Sequence, residues 1–127
     1  MEVPEYHKTR YKVNVRGVEN LILIGNEYMF RFALITACNP FGRKSSPALN
    51  ENGMRVLAQS LAMSGYEFYK ALGEGIDGWD SEPMFLVVNP DFDWIHREAM
   101  RWRQVAYVGN PNPRGEANVI YTGLRKL

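Results

Sequence analysis

Cysteine, histidine and net charge are all scarce in this chain of 127 residues, and each scarcity excludes a class of protein. The single cysteine, Cys38, excludes an internal disulfide framework and fits a reducing compartment. The two histidines, His7 and His96, do not cluster with cysteine as zinc ligands do, so we predict no metal and no cofactor. Because 15 basic and 14 acidic residues give a net charge of +1, nucleic acid is not expected as a partner.

Long apolar runs are also missing. The apolar run at residues 21–24 is far too short to cross a membrane, and the first residues lack the basic and apolar regions of a signal peptide. We therefore expect a cytoplasmic protein with no membrane partner. The length suits a single domain, 1–127, with an N-terminal extension at 1–27, a core at 28–108 and a closing loop and strand at 109–127.

Apolar periodicity and turn residues predict two helices and seven strands. The first helix begins at Pro47, behind the capping residue Ser46, and stops at Gly65. The second begins at Pro90, behind Asn89, and turns an apolar stripe inward. The strands are expected at residues 11–15, 21–24, 28–37, 66–72, 84–88, 105–108 and 118–121.

The order of these elements indicates the fold class. After the N-terminal hairpin the order is strand, helix, strand, strand, helix, strand, which predicts an α+β, ferredoxin-like split βαβ fold with an extra N-terminal hairpin and C-terminal strand. Several strands are apolar on both faces, so the face without helices needs a cover. The hairpin would provide it, or a second copy in a homodimer formed through the sheet face.

This topology brings polar residues from distant parts of the sequence to one end of the sheet. The strand 28–37 ends there, the first helix begins there, and the loop 73–82 lies there. Loops and helix N-termini on a rigid scaffold commonly hold binding residues. The catalytic candidates are the carboxylates Glu82 and Asp77, because general acid–base chemistry needs a carboxylate in a shielded environment. The candidate ligand-binding residues are Asn39, Ser45, Asn50, Trp79 and Gln104.

The same residues carry a family resemblance. Four sets of residues carry it: Thr36-Ala37-Cys38-Asn39-Pro40, Asn50 with Leu57, Leu61 and Gly65, Asp77-Gly78-Trp79 with Glu82-Pro83, and Gln104-Val105-Ala106. With these segments, the sequence resembles an uncharacterised bacterial family, domain of unknown function 3293, over about residues 30 to 108. The family's asparagine matches either Asn50 or Asn52. The resemblance implies a shared site and no particular chemistry.

Two functions remain open at this point. The first is binding of a small polar or anionic ligand at the strand ends, where Glu82 and Asp77 would orient the ligand or, in an enzyme, move a proton. Cys38 is interpreted as a small buried residue, because no histidine lies near it in sequence to activate a thiol. The second is a non-catalytic protein-interaction module, such as a phage- or plasmid-encoded inhibitor of a host protein, anchored by Tyr6, Tyr11, Tyr28 and Trp79.

Overall fold

The computed structural model describes residues 9–74 and 80–124, which form a seven-stranded sheet and two helices. A short 3₁₀ turn, Pro40–Gly42, lies between the third strand and the first helix. The helices are α1 (Pro47–Met63) and α2 (Phe92–Arg101). The strands are β1 (Arg10–Val15), β2 (Val18–Leu23), β3 (Phe32–Ile35), β4 (Phe68–Gly73), β5 (Glu82–Val88), β6 (Ala106–Gly109) and β7 (Asn118–Tyr121).

All the strands join one sheet, in the order β2-β1-β4-β5-β3-β6-β7, and every neighbouring pair is antiparallel. Strand β5 lies between β4 and β3, so these two run in the same direction as each other and opposite to β5. The N-terminal hairpin extends the sheet at one side and β7 extends it at the other.

The ferredoxin-like prediction is wrong. The hairpin and β7 are not additions to a four-stranded sheet. They are part of one long sheet that curls into a half-barrel. The curl brings the segment after β2 against the segment before β7, where Gly25 N–H donates to Ala117 O (2.8 Å) and Tyr28 N–H donates to Gly115 O (2.9 Å). The physical reason is that both faces of the sheet are apolar while the helices cover one face, so the sheet closes over its own second face.

Alternate residues of the central strands accordingly enter two apolar clusters, one on each face. In the first cluster, β3, β5 and β6 meet the two helices. In the second, the same strands meet the hairpin, which covers this face as a continuation of the sheet. The buried members of the helix-side cluster include Ala33, Ile35, Leu57, Leu61, Val87, Ile95 and Ala99. Those of the inner cluster include Tyr11, Val13, Ile22, Phe32, Leu34, Leu86 and Val108.

Strand β3 is shorter than the predicted strand at 28–37, because a buried asparagine interrupts the strand pairing. The Asn110 side chain donates to Phe30 O (2.7 Å) and accepts from Phe32 N–H (2.8 Å). These bonds satisfy backbone groups that a regular strand would direct to a neighbour. The alternation of apolar and polar residues in the sequence does not reveal that a side-chain amide takes the place of a neighbouring strand as the hydrogen-bond partner.

The helix starts follow local capping chemistry. Helix α1 begins as predicted, with the Leu49 N–H donating to Ser46 Oγ (3.2 Å). The predicted cap of α2, Asn89, is wrong by two residues. Asp91 caps this helix by accepting from Asp93 N–H (2.9 Å) and from Trp94 N–H. A carboxylate near the positive end of a helix is favourable, which explains the preference.

Among the residues that the structure describes, no helix has the length and apolar character that crossing a membrane would need.

Gly115 provides a test of the closure between the two ends of the sheet. It has a φ of +78°, and a Cβ at this position would lie 2.2 Å from the Tyr28 carbonyl oxygen. Gly115→Ala must therefore push the paired segments apart, which weakens the closure. The left-handed backbone of an alanine at this position lowers the stability of the fold by roughly a further 1–2 kcal/mol. Urea denaturation should show a clearly larger loss of stability for Gly115→Ala than for the control below.

Gly17→Ala is the matched control. Gly17 has a similar φ of +85°, but a Cβ there would meet no atom within 4 Å. Equal destabilisation by the two substitutions would contradict the importance of the closure.

Candidate functional site

Polar side chains meet at the end of the sheet where β3 stops, β5 starts and α1 begins. Asn39 follows β3, Asn50 lies in the first turn of α1, and Glu82 is the first residue of β5. We call these three residues the amide–carboxylate cluster. All three side chains are half-buried, so the cluster can be reached from solvent.

Asn39 is the centre of this cluster. Its Nδ2 donates to Glu82 Oε2 (2.8 Å), while its Oδ1 accepts from Asn50 Nδ2 (2.9 Å) and from the Ser45 backbone N–H (3.0 Å). The Asn39 backbone N–H donates to Asn50 Oδ1 (2.9 Å), so the two asparagines bond reciprocally. The Asn39 side chain thus connects the segment before α1, the first turn of α1 and the distant start of β5.

Close packing of α1 on the end of β3 explains why Asn50 reaches Asn39. Gly53, one turn after Asn50, is buried, and a Cβ there would lie 3.2 Å from the Ala37 carbonyl oxygen. Because glycine has no side chain, the first turns of α1 approach the backbone at Ala37 directly. Asn50 and Gly53 lie on the same helix face, which directs the Asn50 amide toward Asn39.

Thr36 holds the other side of the cluster. Its hydroxyl donates to Pro83 O (2.8 Å) and accepts from the Cys38 backbone N–H (3.1 Å). These bonds fix the chain on either side of the Asn39–Glu82 contact. Thr36 belongs to the motif that carries the family resemblance, but no sequence signal identifies its partners.

Gln104 lies beside the cluster and is buried. Its Nε2 donates to Cys38 O (2.9 Å) and to Trp102 O (3.1 Å), which uses both amide hydrogens. Gln104 therefore holds the backbone immediately before Asn39. A direct bond from Gln104 to a ligand would use its side-chain oxygen, and this role stays a prediction.

Three non-glycine residues at this end have left-handed backbone conformations. Their φ values are 51° for Asn39, 59° for Phe41 and 57° for Arg103. The Phe41 N–H donates to Arg103 O (2.7 Å), so the two bends support each other. Such conformations are uncommon for a bulky residue and are concentrated at functional sites. The sequence did not predict them, since neither phenylalanine nor arginine favours this region.

The Glu82 carboxyl group has a perturbed acidity. Burial raises its pKa above the ordinary value of a glutamate, and the hydrogen bond from Asn39 partly offsets this rise. Oε2 is occupied by Asn39, whereas Oε1 accepts no hydrogen bond from the described residues. Glu82 therefore combines an uncommitted acceptor oxygen with an increased affinity for a proton.

Cys38 lies beneath the cluster with a buried side chain. Burial raises the pKa of its thiol, the hydrogen bond with Thr36 lowers it, and the charge of Glu82 raises it further. The thiol is therefore kept protonated, which disfavours nucleophilic attack. This agrees with its interpretation as a small buried residue.

The remaining predicted site residues have different positions. Ser45 contributes its backbone N–H to Asn39, as described above. Asn50, and not Asn52, joins the cluster, because the Asn52 side chain is exposed and accepts from Arg55 (2.7 Å). Asp77 and Trp79 lie outside the described residues, so their roles stay predictions.

The predicted interaction anchors also differ from expectation. Tyr11 is buried in the inner cluster, and Tyr28 is half-buried with its hydroxyl accepting from the Leu23 N–H (2.9 Å). Tyr6 lies outside the described residues. Within the described ranges, no three histidine, cysteine or acidic side chains form a group that could hold a metal ion.

The pKa of Glu82 leads to a prediction for the pH dependence of folding. Since the pKa is raised on folding, the contribution of Glu82 to stability is fully present below its ordinary value of 4.5 and is lost as the pH rises through the folded-state pKa. Glu82→Gln removes this titration and keeps an oxygen for Asn39. Urea unfolding at several pH values should show the variant gaining stability relative to the parent as the pH rises.

Glu74→Gln is the control with the opposite sign. Hydrogen bonds from Arg10 and Lys12 lower the pKa of Glu74, so its contribution is present above 4.5 and is lost as the pH falls. Its variant should lose stability relative to the parent as the pH rises. An unchanged pH profile for Glu82→Gln would contradict the assignment.

Comparisons with known proteins identify the family. A search of the curated proteins and a search of the solved structures each returned no match. A family model matches residues 35–106, more than half of the chain, and this range contains the whole amide–carboxylate cluster together with Gln104. The predicted resemblance is confirmed, and the chain belongs to the family described as protein of unknown function (DUF3293).

Proposed function

We propose that the amide–carboxylate cluster binds a small polar ligand at the ends of the strands. The observation that carries this proposal is the state of Glu82, whose Oε2 is fixed by Asn39 while Oε1 accepts no hydrogen bond from the described residues. Because no side-chain oxygen among the described residues is both buried and without a partner, Oε1 is accessible from solvent. A ligand that donates a hydrogen bond could therefore reach Oε1 and replace water there.

The rigidity of the cluster supports the same proposal. Asn39 is held by Asn50 from α1, by the Ser45 backbone and by Glu82 from β5. Its left-handed backbone is therefore fixed by contacts from several elements. Side chains that are held in this way bind a ligand with little loss of conformational entropy.

The raised pKa of Glu82 supports a role in proton transfer within this function. A carboxyl group that retains its proton closer to neutral pH is better suited to act as a general acid or base. The sequence predicts Asp77 as a second carboxylate and Trp79 as an apolar wall, and both remain part of the proposal. Whether the bound ligand reacts is decided by turnover measurements with the ligand once it is identified.

A thermal-shift screen of nucleotides, sugars, amino acids and other metabolites tests this function. A ligand at 100 times its dissociation constant stabilises the fold by about 2.7 kcal/mol, which raises the melting temperature of a domain of this size by roughly several degrees. We expect a ligand whose effect is lost in Glu82→Gln. The matched control is Glu19→Gln, the same change at an exposed position on β2, which should keep the full shift.

A result in which every stabilising ligand acts equally on both variants would contradict the proposed site. A screen without any stabilising ligand, on a protein that folds normally, would favour the second function below.

The second function is docking on another protein, and one observation favours it. A groove of about 410 Å³ lies at the other end of β3, lined by residues 27–31 and 113–115. Met29 is fully exposed there and Phe30 is partly exposed. Exposed apolar side chains beside a groove are typical of interaction surfaces. We expected either the hairpin or a second copy in a homodimer to cover the inner face of the sheet, and hairpin residues of this chain pack there in the inner cluster.

Substitutions at the two ends of β3 distinguish the two functions. Met29→Asp places a charge on a fully exposed residue, so folding should be unaffected while docking through the groove is lost. Glu82→Gln should leave docking intact. Analytical ultracentrifugation with an identified partner gives the dissociation constants, and equal affinities for Met29→Asp and the parent would exclude the groove.

A further inference from the structure

We propose that the amide–carboxylate cluster recognises the edge of a carboxamide or lactam, in which an N–H donor and a C=O acceptor lie side by side. This inference rests on the proposed function and narrows its ligand to one chemical class. It follows from counting the hydrogen-bonding groups that the cluster has left to offer, and from the charges around them.

The unused groups of the cluster are donors on one side and an acceptor on the other. A primary amide nitrogen carries two hydrogens, and Nδ2 of Asn39 uses one of them on Glu82 while Nδ2 of Asn50 uses one on Asn39. Within the described residues no further acceptor takes the second hydrogens. The free acceptor is Glu82 Oε1. It belongs to the same carboxylate that Asn39 already contacts, so donor and acceptor lie next to each other.

The charge distribution argues against an anion as the ligand. Glu82 is the charged group within the cluster, and a ligand carboxylate or phosphate would have to approach it. Lys44, on the segment between Asn39 and α1, is exposed and pairs with Asp80 (2.9 Å), so it does not neutralise Glu82. An anion therefore meets repulsion that a neutral ligand avoids.

The hydrogen-bond pattern also disfavours an ammonium ligand. An ammonium group donates three hydrogen bonds and accepts none, so it would satisfy Glu82 and leave the amide hydrogens of Asn39 and Asn50 unmatched. A carboxamide donates through its nitrogen to Glu82 Oε1 and accepts through its oxygen from an asparagine amide. Of the anion, the ammonium group and the carboxamide, only the carboxamide therefore matches both the Glu82 acceptor and the asparagine donors.

The test uses three ligands that share one ring: benzamide, benzoate and benzylamine. Each is titrated into ¹⁵N-labelled protein, and the side-chain amide signals of Asn39 and Asn50 are followed in two-dimensional ¹H–¹⁵N spectra. We expect benzamide to shift these signals and the other two ligands to bind at least about tenfold more weakly, a difference of about 1.4 kcal/mol. The backbone signals of the same spectra show whether each protein is folded.

The variant Glu82→Gln adds a change of specificity to the test. Glutamine has nearly the shape of glutamate but can present an N–H to a ligand oxygen. Benzoate should therefore gain affinity relative to benzamide in the variant, while Glu19→Gln keeps the preference of the parent. An unchanged preference for benzamide over benzoate in the folded variant would overturn this assignment of Glu82 as the acceptor.

Two outcomes separate this inference from the proposed function. If benzoate or benzylamine binds the parent at least as tightly as benzamide, and this binding depends on Glu82, the site stands and the carboxamide class is overturned. If none of the three ligands shifts the Asn39 and Asn50 signals, the carboxamide class is overturned. The metabolite screen of the proposed function then decides whether the site binds a ligand of another class.

Discussion

The burial of two apolar sheet faces with only two helices is the constraint on which the rest of this structure depends. The helices cover one face, and the second face is buried because the sheet curls and joins the segment after β2 to the segment before β7. This closure explains why Tyr11 and Val13 are core residues, although they lie in a hairpin that an open sheet would expose. It also agrees with the late start of β3, because the N–H of Tyr28, four residues before the strand, donates to Gly115 O, while Asn110 bonds the backbone at Phe30 and Phe32.

The candidate site is a consequence of the same architecture. With β3 and β5 as neighbours and α1 packed on the end of β3 at Gly53, Asn39 lies within hydrogen-bonding distance of both Asn50 and Glu82. The helix face and the inner face both supply packing around it, so the polar groups are partly shielded from water. This shielding raises the pKa of Glu82, so its carboxyl group holds a proton more strongly than an exposed glutamate does.

Local chemistry made part of the structure predictable. The Ser46 cap and the Gly65 stop of α1 follow from short-range bonds and backbone preference, and the alternation in β1 follows from the two-residue repeat of a strand. Asn39, Asn50 and Glu82 were identified as candidates because the predicted strand directions place them at one end of the sheet. The cap of α2 was misplaced because Asn89 and Asp91 are both good caps, and only the backbone decides between them.

The sequence by itself determined the elements, their order and the residue types available for a site, because these depend on neighbours a few positions away. Only the tertiary structure decided that the sheet curls and that Asn50 joins Asn39 in place of Asn52. It alone decided which oxygen of Glu82 is occupied and how strongly the carboxyl group holds its proton. These features depend on contacts between residues that are far apart in the chain, and on the exclusion of water when those contacts form.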